Sequence, residues 1–159
     1  MGQALIHALL DGRVEFVLVG GTAAVLHGAP IVTHDIDIVH RQTVENVERL
    51  VTVLDANHAV VRDDPRRLRV AKDAFLGLGH ILLSTDQGPI DVLCRLGPEQ
   101  DFEWLLPRTD ELEFGGRVVR VIDLPTLIQV KRETGRAKDR LVLPILTATL
   151  EERSKKDSE

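Results

Sequence analysis

The stretch VLVGGTAAVLHGAPIVTHDIDIV, residues 17–39, contains two apolar runs, the first of which ends at a double glycine. An apolar run that stops at glycine and continues into helix-forming residues predicts a buried strand, a tight turn and a helix. The second run is interrupted by Asp35 and Asp37. Because alternate residues of a strand point to the same face, these two carboxylates project together, while Ile36 and Ile38 face the core. The stretch therefore predicts two strands joined through a helix, with an acidic pair on the second strand.

The rest of the chain alternates between helical and strand patterns. Apolar periodicity predicts helices over 3–10, 22–27, 44–55 and 125–134, single strands over 15–19 and 35–39, and hairpins formed by 80–85 with 89–94 and by 111–114 with 117–122. Asp123 is expected to cap the helix that ends at Gly135. A last helix follows, in which Pro144 is expected to lie near the start or to cause a kink. These patterns predict an α/β (α+β) fold, in which helices flank a mixed sheet.

Length and composition limit what the chain can be. It has 159 residues, of which 43% are hydrophobic, and both values suit one globular domain. We expect this domain to occupy residues 1–150, and the charged residues 151–159 to form a flexible tail. Since no apolar run approaches the length of a membrane span and the N-terminal residues lack signal-peptide features, we expect a cytoplasmic protein without membrane contact. The single cysteine, Cys94, is expected to be a small buried hydrophobe.

The acidic pair indicates a metal site. Two ionised carboxylates at this spacing repel, and each favours protonation of the other unless a cation lies between them. Mg²⁺ prefers carboxylate oxygens and keeps waters and substrate phosphates as its other ligands. Asp91 interrupts a later apolar run, between Ile90 and Val92, and an adjacent strand would bring it beside the pair. Asp35, Asp37 and Asp91 are therefore candidate ligands for two metal ions.

The double glycine indicates a phosphate site next to these acids. Gly20 and Gly21 would let the backbone approach a ligand closely, and the amides that open the helix favour a phosphate, with Thr22 adding a hydroxyl. A tight strand-to-helix turn alone would also explain the glycines, and an exposed edge strand alone would explain the acids. The combination of phosphate donors with metal-type acids favours nucleotide chemistry.

The order of these residues resembles a known superfamily. A glycine pair that opens a helix, then an acid, an apolar residue and an acid, then a later strand acid, is similar to the nucleotidyltransferase superfamily related to DNA polymerase beta. Within it, the segments GGTAAVLHG, T-x-DID and KRETGRAKDRL resemble the small bacterial members of abortive-infection and toxin–antitoxin systems. The resemblance spans about residues 16–146. Its one departure is Ile31, where many relatives carry an arginine two residues before the threonine.

The resemblance implies an activity and a set of site residues. It implies a metal-dependent transferase that moves a nucleotidyl group from an NTP such as ATP to a hydroxyl acceptor. The three acids would be catalytic and bind two Mg²⁺ ions, with Mn²⁺ as an alternative, and the glycine turn would hold the phosphates. The residues implied to line the nucleotide pocket, beside Gly20, Gly21 and Thr22, are Lys131, Arg136, Lys138 and Asp139.

Basic residues form two groups in a chain whose net charge is −5. The first group is Arg62, Arg66, Arg67, Arg69 and Lys72, and the second is Lys131, Arg132, Arg136, Lys138 and Arg140. Either group alone is typical of a solvated face. Since Lys131, Arg136 and Lys138 of the second group are implied to contact the nucleotide, the first group, if it is more than a solvated face, is expected to contact the acceptor and to give salt-dependent affinity for RNA.

Three classes of function stay open at this point. The chain is an active transferase whose acceptor is RNA such as tRNA, a protein or a small molecule, with a toxin–antitoxin or defence role. Alternatively, it is a catalytically weak nucleotide-binding module that acts through a protein partner, such as a cognate antitoxin. The third class is a structural domain whose acids are exposed by chance.

Overall fold

The computed structural model describes residues 2–134 and 137–158, without the side chains of residues 137 and 138. Over these residues a mixed seven-stranded sheet is flanked by six helices, which confirms the predicted fold class. The strands are β1 (Phe16–Val19), β2 (Ile36–His40), β3 (Val60–Val61), β4 (His80–Thr85), β5 (Gly88–Leu93), β6 (Thr109–Phe114) and β7 (Arg117–Ile122). The helices are α1 (Gln3–Asp11), α2 (Gly20–Leu26), α3 (Val44–Ala56), α4 (Phe102–Leu105), α5 (Leu124–Thr134) and α6 (Ala137–Asp157).

The strand order across the described sheet is β3-β4-β5-β2-β1-β7-β6. β2 runs parallel to β5 and β1 runs parallel to β7, while the other neighbouring pairs are antiparallel. The parallel pairing of β2 with β5 places Asp37 directly beside Asp91 in the register. The sheet therefore brings together two acids that lie far apart in the chain.

The core forms around the central strands. β1 is buried over its whole length, as its continuous apolar run predicts. α1 contributes Leu5, Ile6 and Leu9, none of which has exposed surface, and α3 contributes Leu50. Cys94 is buried as expected. No described helix is long and apolar enough to cross a membrane.

The helix starts follow sequence signals. Asp123 Oδ1 accepts a hydrogen bond from Thr126 N at 2.8 Å, as predicted for the cap of α5. At the start of α3, Thr43 Oγ1 accepts from Asn46 N at 3.2 Å. Pro144 lies inside α6 rather than at its start. The sequence patterns do not indicate β3 or α4, because such short elements carry no periodic signal.

The C-terminal helix is longer than expected. The tail predicted over residues 151–159 is helical through Asp157, so the prediction that it lies outside the last helix is wrong. Arg153 Nη1 donates to His27 Nδ1 at 2.8 Å, and His27 Nε2 donates to Ile122 O at 2.8 Å. These contacts tie the last turns of α6 to the sheet, which the charged composition of the segment does not reveal.

Candidate functional site

The candidate site lies where β2 and β5 run side by side. Asp37 and Asp91 are register partners and lie on one face of the sheet, and Asp35 precedes β2 by one residue. The hydroxyls of Thr22 and Thr33 donate to Asp35 O at 3.1 Å and 3.2 Å. The backbone that carries the acidic pair is therefore held from α2 and from the preceding loop.

Asp37 is the most perturbed of the acids. Burial, a hydrogen bond with the Asp91 carboxyl and the nearby charges of Asp91 and Asp35 raise the pKa of Asp37 from 3.8 to about 7, against the lowering effect of Lys131. Asp37 Oδ1 is buried and has no hydrogen-bond partner among the described residues. An orphaned carboxylate oxygen with a raised pKa is typical of a site that awaits a cation or a reacting group.

Arg62, directly after β3, reaches into the acid cluster. Its Nη2 donates to Asp91 Oδ1 at 2.6 Å, to Leu83 O at 2.9 Å and to Ile90 O at 3.2 Å. Its Nη1 lies 3.9 Å from Asp35 Oδ2. Only 19% of the Arg62 side chain is exposed, so two strand carbonyls and one acid fix this cation in place. Arg62 partly neutralises Asp91 and Asp35.

The function of Arg62 is not evident from the sequence, where it is one of five basic residues in a segment. The others differ from it: Arg66 pairs with Asp64 at 2.7 Å, and Lys72 lies 3.9 Å from Glu48. Arg62 thus differs from the rest of its group, and acceptor contact by the group stays a prediction. The sequence offers no local signal for Arg62, because β3, which it follows, is too short to carry a periodic pattern.

The acids do not form a completed metal centre as they stand. Among the residues that the structure describes, no three His, Cys, Asp or Glu side chains are grouped so that they could hold one ion. Asp37 and Asp91 are adjacent, but the Arg62 guanidinium lies between Asp91 and Asp35. The three acids are neighbours along β2 and β5, but their carboxylates do not meet at one point, because the Arg62 guanidinium lies between those of Asp35 and Asp91.

The glycine turn contacts the acids directly. Gly20 has φ +68°, and a Cβ at this position would overlap Asp37 Oδ2. Gly21 has no such backbone requirement, but a Cβ there would lie 2.7 Å from Thr33 Oγ1. The residue whose backbone angles require glycine is therefore Gly20. At both positions the lack of a side chain lets the turn pack closely against the strand and loop that carry the acids.

A cleft of about 340 Å³ lies beside the acids. Gly20, Asp37 and Asp91 border it, and α5 contributes Lys131 and Thr134. Asp139, which begins the described side chains of α6, accepts from Lys131 Nζ at 2.9 Å and from Thr134 Oγ1 at 2.5 Å.

The structure thus brings five of the ten predicted site residues to one cleft, namely Gly20, Asp37, Asp91, Lys131 and Asp139. Asp35 and Thr22 border a neighbouring pocket instead, where the Thr22 hydroxyl donates to Asp35 O. Arg136 lies outside the described residues, as does the side chain of Lys138. The roles predicted for these residues in nucleotide binding stay predictions.

Comparisons with known proteins identify the fold and the family. The model of the family aminoglycoside-2''-adenylyltransferase matches residues 3–141, whereas no curated protein matches. The lincomycin-bound lincosamide antibiotic adenylyltransferase LnuA is 16% identical, with a TM-score of 0.61 over 92% of this chain and 94% of that one. The antibiotic-resistance factor ANT(2'')-Ia is 18% identical, with a TM-score of 0.60 over 93% and 83%. The complex of ANT(2'')-Ia with adenylyl-2''-tobramycin is 14% identical, with a TM-score of 0.59 over 92% of this chain and 85% of that one.

At these identities the solved structures show the shared fold, while the family match extends from α1 into α6 and includes the turn, the acids and Lys131. The resemblance to the nucleotidyltransferase superfamily is confirmed, and the toxin–antitoxin subtype is not supported. The chain is a nucleotidyltransferase that belongs to the aminoglycoside-2''-adenylyltransferase family.

Proposed function

We propose that this nucleotidyltransferase moves a nucleotidyl group from an NTP to a hydroxyl of a small molecule, in the cleft above Asp37 and Asp91. The observation that carries the proposal is the in-register pair of acids, in which Asp37 Oδ1 is buried without a partner among the described residues and Asp37 Oδ2 lies against Gly20 of the turn. Family membership supports the reaction type, and the position of the pair in a cleft with Lys131 supports the place where it occurs.

The acids fit a divalent metal. Asp37 offers an unpartnered oxygen, and the burial and neighbouring carboxylates that raise the pKa of Asp37 support a cation as the missing element of this cluster. Asp37 and Asp91 would hold Mg²⁺ or Mn²⁺, and Asp35 would join them after Arg62 moves away from it. When bound, two such ions would neutralise the phosphates and the leaving pyrophosphate.

The chain's own residues position the reactants. Gly20 borders the cleft that would take the triphosphate, and Lys131, oriented by Asp139, places a positive charge near Asp37. The acceptor oxygen attacks the α-phosphorus, forming one P–O bond as the bond to pyrophosphate breaks. The hydroxyl proton passes to the Asp91 carboxylate and from there to solvent.

A small-molecule acceptor suits this cleft better than tRNA, a protein or an antitoxin. The cleft of about 340 Å³ falls within the range of small-molecule sites. The ligands named for the two similar antibiotic adenylyltransferases, lincomycin and adenylyl-2''-tobramycin, are also small molecules. We therefore infer an adenylyltransferase that modifies a hydroxyl compound of this size.

The test follows transfer with and without Asp37. Purified protein is incubated with ATP, Mg²⁺ and a library of hydroxyl compounds, and pyrophosphate release and product mass are measured. Asp37→Asn should lower transfer on the order of 10³-fold or more, because several kcal/mol of charge stabilisation is lost. Asp55→Asn, an exposed acid on α3, is the matched control and should transfer at the wild-type rate. Full activity of Asp37→Asn would refute the proposed site.

A further inference from the structure

The wall of the cleft next to Asp91 is apolar. Leu82 on β4 is the register partner of Asp91, and His80 is the partner of Leu93. Because register partners of an antiparallel pair lie on one face, these side chains share the sheet face that carries the acids. All of them border the cleft, and Leu82 is 45% exposed. Since Asp91 is the acid proposed to face the acceptor hydroxyl, this wall lies on the acceptor side.

The segment that leads into β4 also exposes leucines. Leu76 and Leu78 are 40% and 69% exposed, although leucine is usually buried. They precede His80 by only a few residues. Exposed leucines are typical of a surface that binds an apolar partner.

The carboxylates of the cleft are already engaged. Among the described residues that border it, the acids are Asp37, Asp91 and Asp139. Asp91 is paired with Arg62 and Asp139 with Lys131, while Asp37 is assigned to the metal. A polyamine acceptor needs carboxylates that face its ammonium groups, and this cleft offers it none beyond the reaction centre.

The edge of the cleft carries positive charge. Arg62 N donates to Leu82 O at 3.0 Å, so the segment 62–72 begins directly at the apolar wall. This segment contains five cationic and two acidic side chains. Its field would repel a polycation and attract a neutral polar or anionic compound.

We propose that the acceptor is a neutral or anionic hydroxyl compound with an apolar body, which packs on Leu82 and Leu93 and points its hydroxyl at Asp91, and not a polycationic aminoglycoside. This inference rests on the proposed function of the cleft. It assigns Leu82 and Leu93 to acceptor selection, because a desolvated apolar body gains free energy against them whereas an ammonium group loses it.

Binding of unmodified acceptor probes tests the inference without turnover. Calorimetry measures the affinity of lincomycin and of monomeric octyl glucoside, which join a hydroxylated sugar to an apolar group, and of tobramycin, a polycation. Wild-type protein with Mg²⁺ and a non-hydrolysable ATP analogue should bind at least one apolar probe at least tenfold more tightly than tobramycin.

Variants of Leu82 locate the selecting surface. Leu82→Glu should lower the affinity for the apolar probe at least tenfold and raise the affinity for tobramycin. Leu82→Ala should lower only the affinity for the apolar probe. Val44→Glu, at a 55% exposed position that does not border the cleft, is the matched control and should change neither affinity. Circular dichroism and thermal melts check that each variant is folded.

The outcomes separate this inference from the proposed function. Tighter binding of tobramycin by wild type, equal binding of all probes or no binding of either apolar probe would overturn the apolar-acceptor inference. Unchanged probe affinities in both Leu82 variants would overturn it too. If wild-type protein does not bind the ATP analogue in a separate titration, the proposed function is refuted instead.

Discussion

Two buried polar groups, one on α3 and one on β2, differ in character. Asn46 on α3 has no exposed surface, and its side chain makes three hydrogen bonds: it accepts from Glu15 N at 2.7 Å and donates to Glu15 O at 2.9 Å and to Arg41 O at 2.8 Å. Asp37 on β2 has a buried oxygen without a partner in the described part of the chain.

This difference separates stability from function. A buried amide whose donors and acceptor are satisfied fixes the join between β2 and α3, and it has no capacity left for a ligand. A buried carboxylate beside two other acids lowers the stability of the unliganded protein. Such an unfavourable group is retained where a ligand needs its charge. The comparison therefore assigns Asn46 to the fold and Asp37 to the reaction.

The largest expected effect is a pH dependence of stability that arises from Asp37. Its folded pKa of about 7 lies above the ordinary 3.8, owing to burial and to Asp91 and Asp35, while Lys131 and Arg62 supply the facing positive charges. Between these values the folded protein keeps a proton that the unfolded chain loses. Without metal, the free energy of unfolding should therefore fall by several kcal/mol as pH rises from about 4 to 7, since each pKa unit corresponds to about 1.4 kcal/mol. Above pH 7 it should stay level.

Urea unfolding of wild type and Asp37→Asn in EDTA measures this contribution. The variant stays neutral at all pH values, so its stability advantage should be near zero at pH 4 and greatest above pH 7. Mg²⁺ should reduce the advantage by stabilising wild type alone. Asp55→Asn should show no such trend. An advantage that does not change with pH would contradict the assignment of the unfavourable charge to Asp37.

The next effect is structural and concerns Asn46. Asn46→Ala removes the partner of the Glu15 amide and of the Arg41 carbonyl and one of the two bonds of the Glu15 carbonyl, which Arg41 N still contacts, so the free energy of unfolding should fall by on the order of 3 kcal/mol. Thr52→Ala, which removes an exposed hydroxyl from the same helix, should cost less than about 1 kcal/mol. ATP and Mg²⁺ affinities of folded Asn46→Ala should equal those of wild type. Weaker metal binding would contradict a purely structural role.

The smallest expected effect concerns Arg62, which supplies the only described guanidinium paired with Asp91. Arg62→Met frees this carboxylate and increases the negative charge of the cluster, so Mg²⁺ affinity in calorimetry should rise about tenfold while metal-free stability falls. Arg62→Lys should give an intermediate affinity, since it keeps the charge and loses the fork. Arg66→Met, which removes an exposed cation paired with Asp64, is the control and should bind Mg²⁺ as wild type does.

Unchanged Mg²⁺ affinity in Arg62→Met would show that the guanidinium and the metal do not compete for Asp91. A fall in affinity would indicate instead that Arg62 holds Asp91 in the orientation that a metal needs. Either result would refine the comparison of Asp37 with Asn46, because it shows whether the acid cluster already has the geometry that a cation needs before one binds.

Much of the site was predictable because its signals are local. The apolar run into Gly20 predicts strand, turn and helix, and the alternation around Asp35 and Asp37 predicts an acidic face, since side-chain direction in a strand depends only on residue parity. Asp91 is identifiable by the same interruption of an apolar run. The resemblance that these residues carry identified the superfamily before any contact was known.

Sequence by itself thus determined the elements, the acidic face and the superfamily, because strand alternation, glycine conformation and helix caps depend on neighbouring residues. Only the tertiary structure decided the parallel pairing that joins Asp37 to Asp91, the place of Arg62 between two acids that are distant in sequence, and the contact of Arg153 with His27. Those contacts depend on which strand lies beside which and on how much surface each side chain buries. Such quantities arise only when distant segments pack, so no local pattern contains them.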